Sequence, residues 1–256
     1  MFAGRVAHDL RAPLSVIQMQ SGAAQRASSL EGVKKSIDRL ARQGTRMAEI
    51  IDALLAFARS GAPPEGGSVE IADVVGEVVA ESRFIDGGSK IDFVVESIPR
   101  VRVAASHGVL DIILSNLVRN ATKYIGDRRD DVRRIAVRAR DIRDMVRIEV
   151  EDNGPGLPPG AELAVFEPFV RVAKTSASGI GLGLATVKRL VEAHHGRVGV
   201  DSSPDRGCRF WFELPRVPER IADAGLGAKG RETSRAAATL SGSTLPKARR
   251  DALWPR

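Results

Sequence analysis

The chain has 256 residues and 27.5 kDa, with 39 Lys and Arg against 32 Asp and Glu, a formal charge of +7 and a pI near 10.0. Hydrophobic residues make up 43%, which excludes a wholly disordered chain, and the length suits one or two folded domains. The single cysteine, Cys208, excludes a disulfide framework and a Cys-rich zinc site, while the lack of a long apolar run or a signal-peptide core predicts a cytoplasmic protein without a membrane span.

From the N-terminus, Ala3, Ala7, Leu10, Leu14, Ile17, Ser21 and Ala24 alternate spacings of four and three residues. After a break at Ser28–Gly32 the alternation resumes through Val33, Ile37, Leu40, Gly44, Met47, Ile51, Leu54 and Ala58. Such spacing is the heptad seam of helices packed in a bundle. Two helices cannot enclose a core alone, so residues 1–59 are expected to form a helical hairpin that pairs with a second copy as a four-helix bundle. Residues 60–67, SGAPPEGG, read as a Pro/Gly linker.

Residues 68–215 mix periods. Helices are predicted over Ile71–Arg83, His107–Tyr124 and Leu182–His195, and strands over Met145–Asp152 and Cys208–Leu214. In the first strand Val146, Ile148 and Val150 share one face and Arg147 and Glu149 the other; in the second, Cys208, Phe210, Phe212 and Leu214 share a face. This alternation predicts a two-layer α/β sandwich. Residues 216–256 hold nine basic and four acidic side chains, so this tail carries +5 and the other 215 residues +2. Its Gly, Ala, Ser and Thr content predicts disorder. The basicity thus belongs to an appendage, and nucleic acid is not the expected partner.

Three elements of the second domain carry chemistry. Asn116, Asn120 and Lys123 fall on one helix face while Ile113, Leu117 and Ala121 can face a core. Amide oxygens are hard ligands suited to Mg²⁺, and Lys123 would supply charge to phosphates. Asp152, ending its strand, continues the parity of the core residues, so its carboxylate needs hydrogen-bond donors, which a purine amine could supply. Gly154 and Gly156 after it permit a tight turn. Gly179, Gly181 and Gly183 then lead into a helix whose free N–H groups suit phosphates. The stretch Leu157–Ser178 between them is expected to be a mobile lid. Each element has a plain alternative: a solvated polar stripe, an ordinary Asn-Gly turn, a Gly-rich loop.

In this order, NATKY, D-x-G-x-G, FEPFVR and GIGLGLATVKRLVEAHHG resemble the ATP-binding domain shared by histidine kinases, Hsp90, type II topoisomerases and MutL, and are most similar to sensor histidine kinases. The resemblance spans roughly residues 1–215. It implies a Bergerat-type fold in which Asn116 and Asn120 handle Mg²⁺, Lys123 the phosphates and Asp152 the adenine amine. It also implies that Gly179, Gly181, Leu182 and Gly183 hold the triphosphate, that Tyr124 packs near the adenine ring and that Arg171 reaches the phosphates from the lid. At the N-terminus His8-Asp9-Leu10-Arg11-Ala12-Pro13-Leu14 resembles the H-E-L-R-T-P-L phosphoacceptor box of that family. His8 lies one step beyond the seam residue Ala7 and should be exposed. A neutral imidazole is a competent nucleophile, which Asp9 can orient or relieve of a proton. Pro13 removes the helix bond to the Asp9 carbonyl.

The expected function is therefore ATP-dependent autophosphorylation of His8 and transfer to an aspartate of a response-regulator receiver domain. The alternative is a non-catalytic nucleotide-binding or phosphotransfer module acting with another kinase. Ala12 stands where many relatives carry Thr or Asn that position water, which predicts weak phosphatase activity. Only seven residues precede His8, so the chain is expected to be a fragment or to take its input from a separate sensor protein. The Arg/Asp-rich GDRRDDVRR stretch after Tyr124 is expected to be a solvated turn. His107 is expected to be structural, and the pair His194-His195 to favour a helix C-terminus as an imidazolium.

Overall fold

The computed structural model describes residues 2–61, 66–85, 91–126, 132–172, 180–204 and 206–218, the side chains of residues 2, 3 and 5 excepted. Helix α1 (Phe2–Gln25) and helix α2 (Leu30–Arg59) form an antiparallel hairpin. The turn falls where the heptad pattern breaks: Ser29 is the N-cap of α2, its Oγ accepting the Gly32 N–H at 3.1 Å. Pro13 lies within α1 without ending it.

Within this hairpin burial falls one residue to the side of the predicted seam. Pro13, Gln20, Ser36 and Ile50 are buried, whereas their seam neighbours Leu14, Ile37 and Ile51 are 44%, 55% and 44% exposed. One residue is about 100° around a helix, so a single pair of helices hides only its facing flank and leaves much of the seam bare. Apolar seam positions on both helices thus remain uncovered within one chain.

The second part is a seven-stranded mixed sheet with three helices. Strands run β1 (Val69–Glu70), β2 (Ile91–Val95), β3 (Arg102–Val103), β4 (Arg133–Ile142), β5 (Met145–Asp152), β6 (Arg197–Ser203) and β7 (Gly207–Val217). Their order is β1-β3-β7-β5-β4-β2, with β6 also paired to β7; all pairings are antiparallel except β2 with β4. Helices α3 (Ile71–Ile85), α4 (His107–Tyr124) and α5 (Gly183–Ala193) pack on one face. Val146, Ile148 and Val150 of β5 and Phe212 and Leu214 of β7 meet Leu110, Ile113, Leu114, Leu117, Val187 and Val191 in the core. β7 continues two residues past Pro215, Arg216 pairing with Asp141 at 2.8 Å. Residues 219–256 of the basic tail lie outside the described residues.

Several local expectations need correction. Arg133 and Arg134 do not belong to a solvated turn but open β4; residues 127–131 lie outside the described residues. The stretch after Leu157 is not all lid. Ala161, Val165 and Phe166 are buried, a 3-10 turn covers Ala164–Phe166, and the Phe166 and Phe210 rings meet edge to face at 6.2 Å. An apolar run that fills a core gap cannot swing freely; residues 173–179 of the same stretch lie outside the described residues. His107 bonds Glu77 at 2.8 Å, tying α4 to α3. His194 caps α5 from a buried position, its Nδ1 donating to the Leu190 carbonyl at 2.8 Å. Its Nε2 has no partner among the described residues, so an imidazolium there would bury an unmet donor.

The outer face of the sheet holds a further surprise. Glu149 follows the predicted parity yet is only 1% exposed, because guanidinium groups roof it over. Arg138 on β4 bonds it at 2.5 Å, Arg140 bonds it from the same strand, and Arg138 also reaches Glu151 at 2.7 Å. Burial pushes the Glu149 carboxyl up, but the bonds from Arg138 and Arg140 outweigh this and hold it below the usual carboxylate range. Beside this cluster Arg147 stacks 4.1 Å over Trp211 and pairs with Glu213 at 2.6 Å.

A carboxyl held low in the native state adds stability above its unfolded pKa of about 4.3, and that gain is lost as pH falls through the lower native value. Arg138→Ala is therefore expected to destabilise the sheet domain by about 3 kcal/mol at pH 7. Urea unfolding of both proteins at pH 7 and in acid checks this, with the gap narrowing as Glu149 protonates.

Candidate nucleotide site and histidine cleft

Helix α4 builds one wall of a cavity of about 410 Å³. Ser106 starts the helix, its Oγ accepting the Val109 N–H at 3.3 Å. Ile113, Leu117 and Ala121 are buried in the core. The other flank brings Asn116, Asn120, Lys123 and Tyr124 to the cavity. Nδ2 of Asn116 donates to the Ile112 carbonyl at 2.7 Å, which turns Oδ1 away from its own helix. That oxygen points at Gly183, where an added Cβ would stand only 2.8 Å from it. Lys123 Nζ sits 4.8 Å from the centroid of the Tyr124 ring.

Asp152, 6% exposed at the end of β5, supplies a carboxylate to the same cavity. Its Oδ1 accepts the Gly154 N–H at 2.9 Å and the Cys208 N–H at 3.4 Å. Burial pushes this carboxyl above its ordinary value; the two N–H groups pull the other way, and nearby Glu151 adds to the rise. Gly154 stands behind the carboxylate and does not line the cavity, whereas Gly156 does. Gly156 has φ +78°, and a Cβ there would lie 2.3 Å from the Ser203 carbonyl oxygen, so only glycine fits the turn.

Gly181, Leu182 and Gly183 line the cavity where α5 begins. Leu182 is the N-cap and makes no side-chain capping bond, so no side chain of its own competes for the first-turn N–H groups. Arg171 joins from the segment after the 3-10 turn. Gly179 lies outside the described residues. Apart from Gly154 and Gly179, all the nucleotide residues expected from sequence thus gather on one cavity.

The cavity also has walls the sequence did not suggest. Arg119 shares the flank of Asn116 and Asn120, and its i+3 position was a signal available for the taking. Glu49, Ile50 and Ala53 come from α2, for which no local signal exists. The two parts meet there: Ile50, Ile180 and Leu182 are buried together against Leu10, Leu54, Phe57 and Phe169. Arg189 of α5 stacks 4.5 Å over Phe57 and donates to its carbonyl at 3.3 Å.

His8 and Asp9 occupy a separate, adjoining cleft of about 500 Å³ with Ala12 and Arg46. The His8 side chain is 84% exposed, and its Nδ1 lies 3.2 Å from Asp9 Oδ1. An ionised carboxylate can only accept, so Nδ1 is the donor in this pair, and in the neutral imidazole Nε2 then keeps its lone pair. The cleft and the nucleotide cavity share Ile50, Arg171 and Ile180 as walls. Among the described residues no cluster of three His, Cys, Asp or Glu side chains could hold a metal, and no helix is long and apolar enough to cross a membrane.

A helical hairpin bearing an exposed histidine, beside an α/β domain with an amide-lined cavity, defines a nucleotide-binding domain joined to a phosphoacceptor module. Residues 1–63 match the His Kinase A (phospho-acceptor) domain, and residues 107–218 match the histidine kinase-, DNA gyrase B- and HSP90-like ATPase. The chain is 28% identical over 225 residues to the sensor-like histidine kinase SenX3 of Mycolicibacterium smegmatis, covering 85% of this chain and 58% of that protein. Among solved structures, full-length ShkA in complex with AMPPNP is 28% identical with a TM-score of 0.60, over 84% of this chain and 45% of that one. The histidine kinase ThkA in complex with the response regulator TrrA shares the fold, with 24% identity and a TM-score of 0.68 over 86% of this chain and 62% of that one. The chain belongs to the sensor histidine kinase family, and it spans 22% to 58% of the first curated relatives it matches.

Because the native carboxyl of Asp152 is raised, stability is lost as pH rises from the unfolded carboxylate value to the higher native one, and the full penalty persists above it. Asp152→Asn is expected to raise the melting temperature of the nucleotide-free protein at pH 8, with the difference fading in acid. The same change replaces an acceptor oxygen at the cavity wall by an N–H donor and is expected to weaken ATP binding about tenfold or more. Calorimetric melting and nucleotide titration check the two effects.

Proposed function

We propose that this chain is an ATP-dependent protein-histidine kinase that phosphorylates His8 and passes the phosphoryl group to an aspartate of a response-regulator receiver domain. The observation that carries this reading is the pair of adjoining cavities, one amide-lined and one holding His8, with Ile50, Arg171 and Ile180 between them. A γ-phosphoryl group in the first has a short way to the second.

In this reading Asp152 accepts from the adenine amine, and Tyr124 packs near the ring. Lys123 and Arg171 meet phosphate charge, while Gly181, Leu182 and Gly183 offer backbone N–H groups at the start of α5. Gly154 shapes the turn behind Asp152, and Gly156 lets the backbone pass close to the nucleotide. Asn116 and Asn120 would hold Mg²⁺; Oδ1 of Asn116, turned away from its own helix, is the kind of hard oxygen such an ion takes. The ion, when bound, neutralises charge on the phosphate oxygens. Asp9 holds the Nδ1 proton of His8 and leaves Nε2 as nucleophile. The bare seam positions Leu14, Ile37 and Ile51 suit a homodimer through residues 1–59. ATP as substrate suits a cytoplasmic reaction.

Incubation with γ-labelled ATP and Mg²⁺ tests the reading. Acid-labile, alkali-stable label is expected on the native chain, and none on His8→Gln, on Asn120→Ala, or after chelation of divalent ions. A native chain that binds ATP and takes no label would overturn it. Ala12 lines the His8 cleft without a hydrogen-bonding group, so dephosphorylation of a phosphorylated receiver domain is expected to be slow. Ala12→Thr should accelerate it, as followed by phosphate release.

A further inference from the structure

Among the described residues two arginines line the His8 cleft, and they belong to different parts of the molecule. Arg171 comes from the ATP-binding domain and also lines the nucleotide cavity. Arg46 comes from α2 of the hairpin, the same rigid element pair that carries His8, and it lines only the histidine cleft. Among the described residues no carboxylate pairs with Arg46. The carboxylate nearest the imidazole, Asp9, is engaged with His8 Nδ1. Arg46 has Ile50 and Arg42 at i+4 and i−4, and Glu49 at i+3 lines the nucleotide cavity without an ion pair to Arg46 among the described residues. An unpaired cation beside an acceptor histidine is placed to meet an incoming anion.

We propose that Arg46 contacts the phosphoryl group as it arrives on His8 and stays with it afterwards. The inference rests on the kinase reading above. In the step itself the Nε2 lone pair forms the N–P bond while the bond from the γ-phosphorus to the bridging oxygen breaks. That electron pair leaves with ADP, and the Nδ1 proton passes to the Asp9 carboxylate. Arg171, tied to the nucleotide-binding domain, can share the charge only while that domain is docked. Arg46 moves with His8, so of these two arginines it is the one that continues to balance the phosphohistidine when the docked domain withdraws and a receiver domain takes its place. The division of labour makes Arg171 a transfer group and Arg46 a group for both transfer and product.

The test compares the native full chain with Arg46→Ala, Arg46→Lys and His8→Gln. Single-turnover labelling, nucleotide affinity and the fraction phosphorylated at a fixed ATP to ADP ratio are measured, with helix content checked by circular dichroism. Arg46→Ala is expected to lower the labelling rate at saturating ATP at least about tenfold. Nucleotide affinity should stay within about twofold, and the equilibrium should shift towards unphosphorylated protein. Arg46→Lys should restore part of both losses because it keeps the charge. Labelling of Arg46→Ala at the native rate and extent would overturn the proposal, as would a loss of nucleotide affinity or helix content that Arg46→Lys shares in full. A native chain that takes no label sinks the kinase reading itself, an outcome distinct from native labelling with no effect of Arg46→Ala.

Discussion

The nucleotide site depends on one register, the antiparallel pairing of β5 with β7. It sets Asp152 opposite Cys208, Val150 opposite Phe210 and Ile148 opposite Phe212. The pairing brings the backbone so close at its end that a Cβ on Gly207 would lie 1.8 Å from the Asp152 carbonyl oxygen. Gly207, at φ +86°, is therefore a condition of the contact. From that contact follow the Cys208 N–H on Asp152 and the apolar floor made by Phe210. A shift by one residue would turn every core side chain of β7 outward and leave the Asp152 carboxylate buried without its second donor.

Much of this was legible in the sequence, for physical reasons that are local. His107–Tyr124 is a helix because its apolar period is unbroken and Ser106 stands ready to cap it, and the structure gives those bounds. β5 was equally plain from strict alternation. The hairpin turn showed itself where the heptad stopped. Within the site, Asn116, Asn120 and Lys123 could be placed on one flank by helix geometry, whereas their meeting with Gly181 and Gly183 needed the resemblance of the ordered motifs.

What escaped depends on neighbours distant in sequence. Parity put Glu149 on the outer face, but it could not tell that Arg138 and Arg140 would close over it. The heptad marked Ile51, while the buried residue is Ile50, because its partners Ile180 and Leu182 belong to another domain. Leu157–Ser178 looked loose by composition, yet Phe166 finds Phe210 some forty residues away. Glu49 and Ala53 reach the nucleotide cavity for the same reason, as walls lent by a second element.

Among the described residues the contact between hairpin and nucleotide-binding domain rests on three buried aliphatic side chains, a few half-buried ones and one stacked arginine. At about 1.5–3 kcal/mol for each fully buried side chain, less the freedom lost on docking, such a joint lies close to balance. Twisting α2 by a fraction of a turn would withdraw Ile50 from Ile180 and, on the same helix, move Glu49 and Ala53 out of the cavity wall. One rotation of one rod therefore acts on the grip between domains and on the shape of the nucleotide chamber together. The hairpin is in this sense a crankshaft, and torque applied at its far end has only a loosely held load to turn.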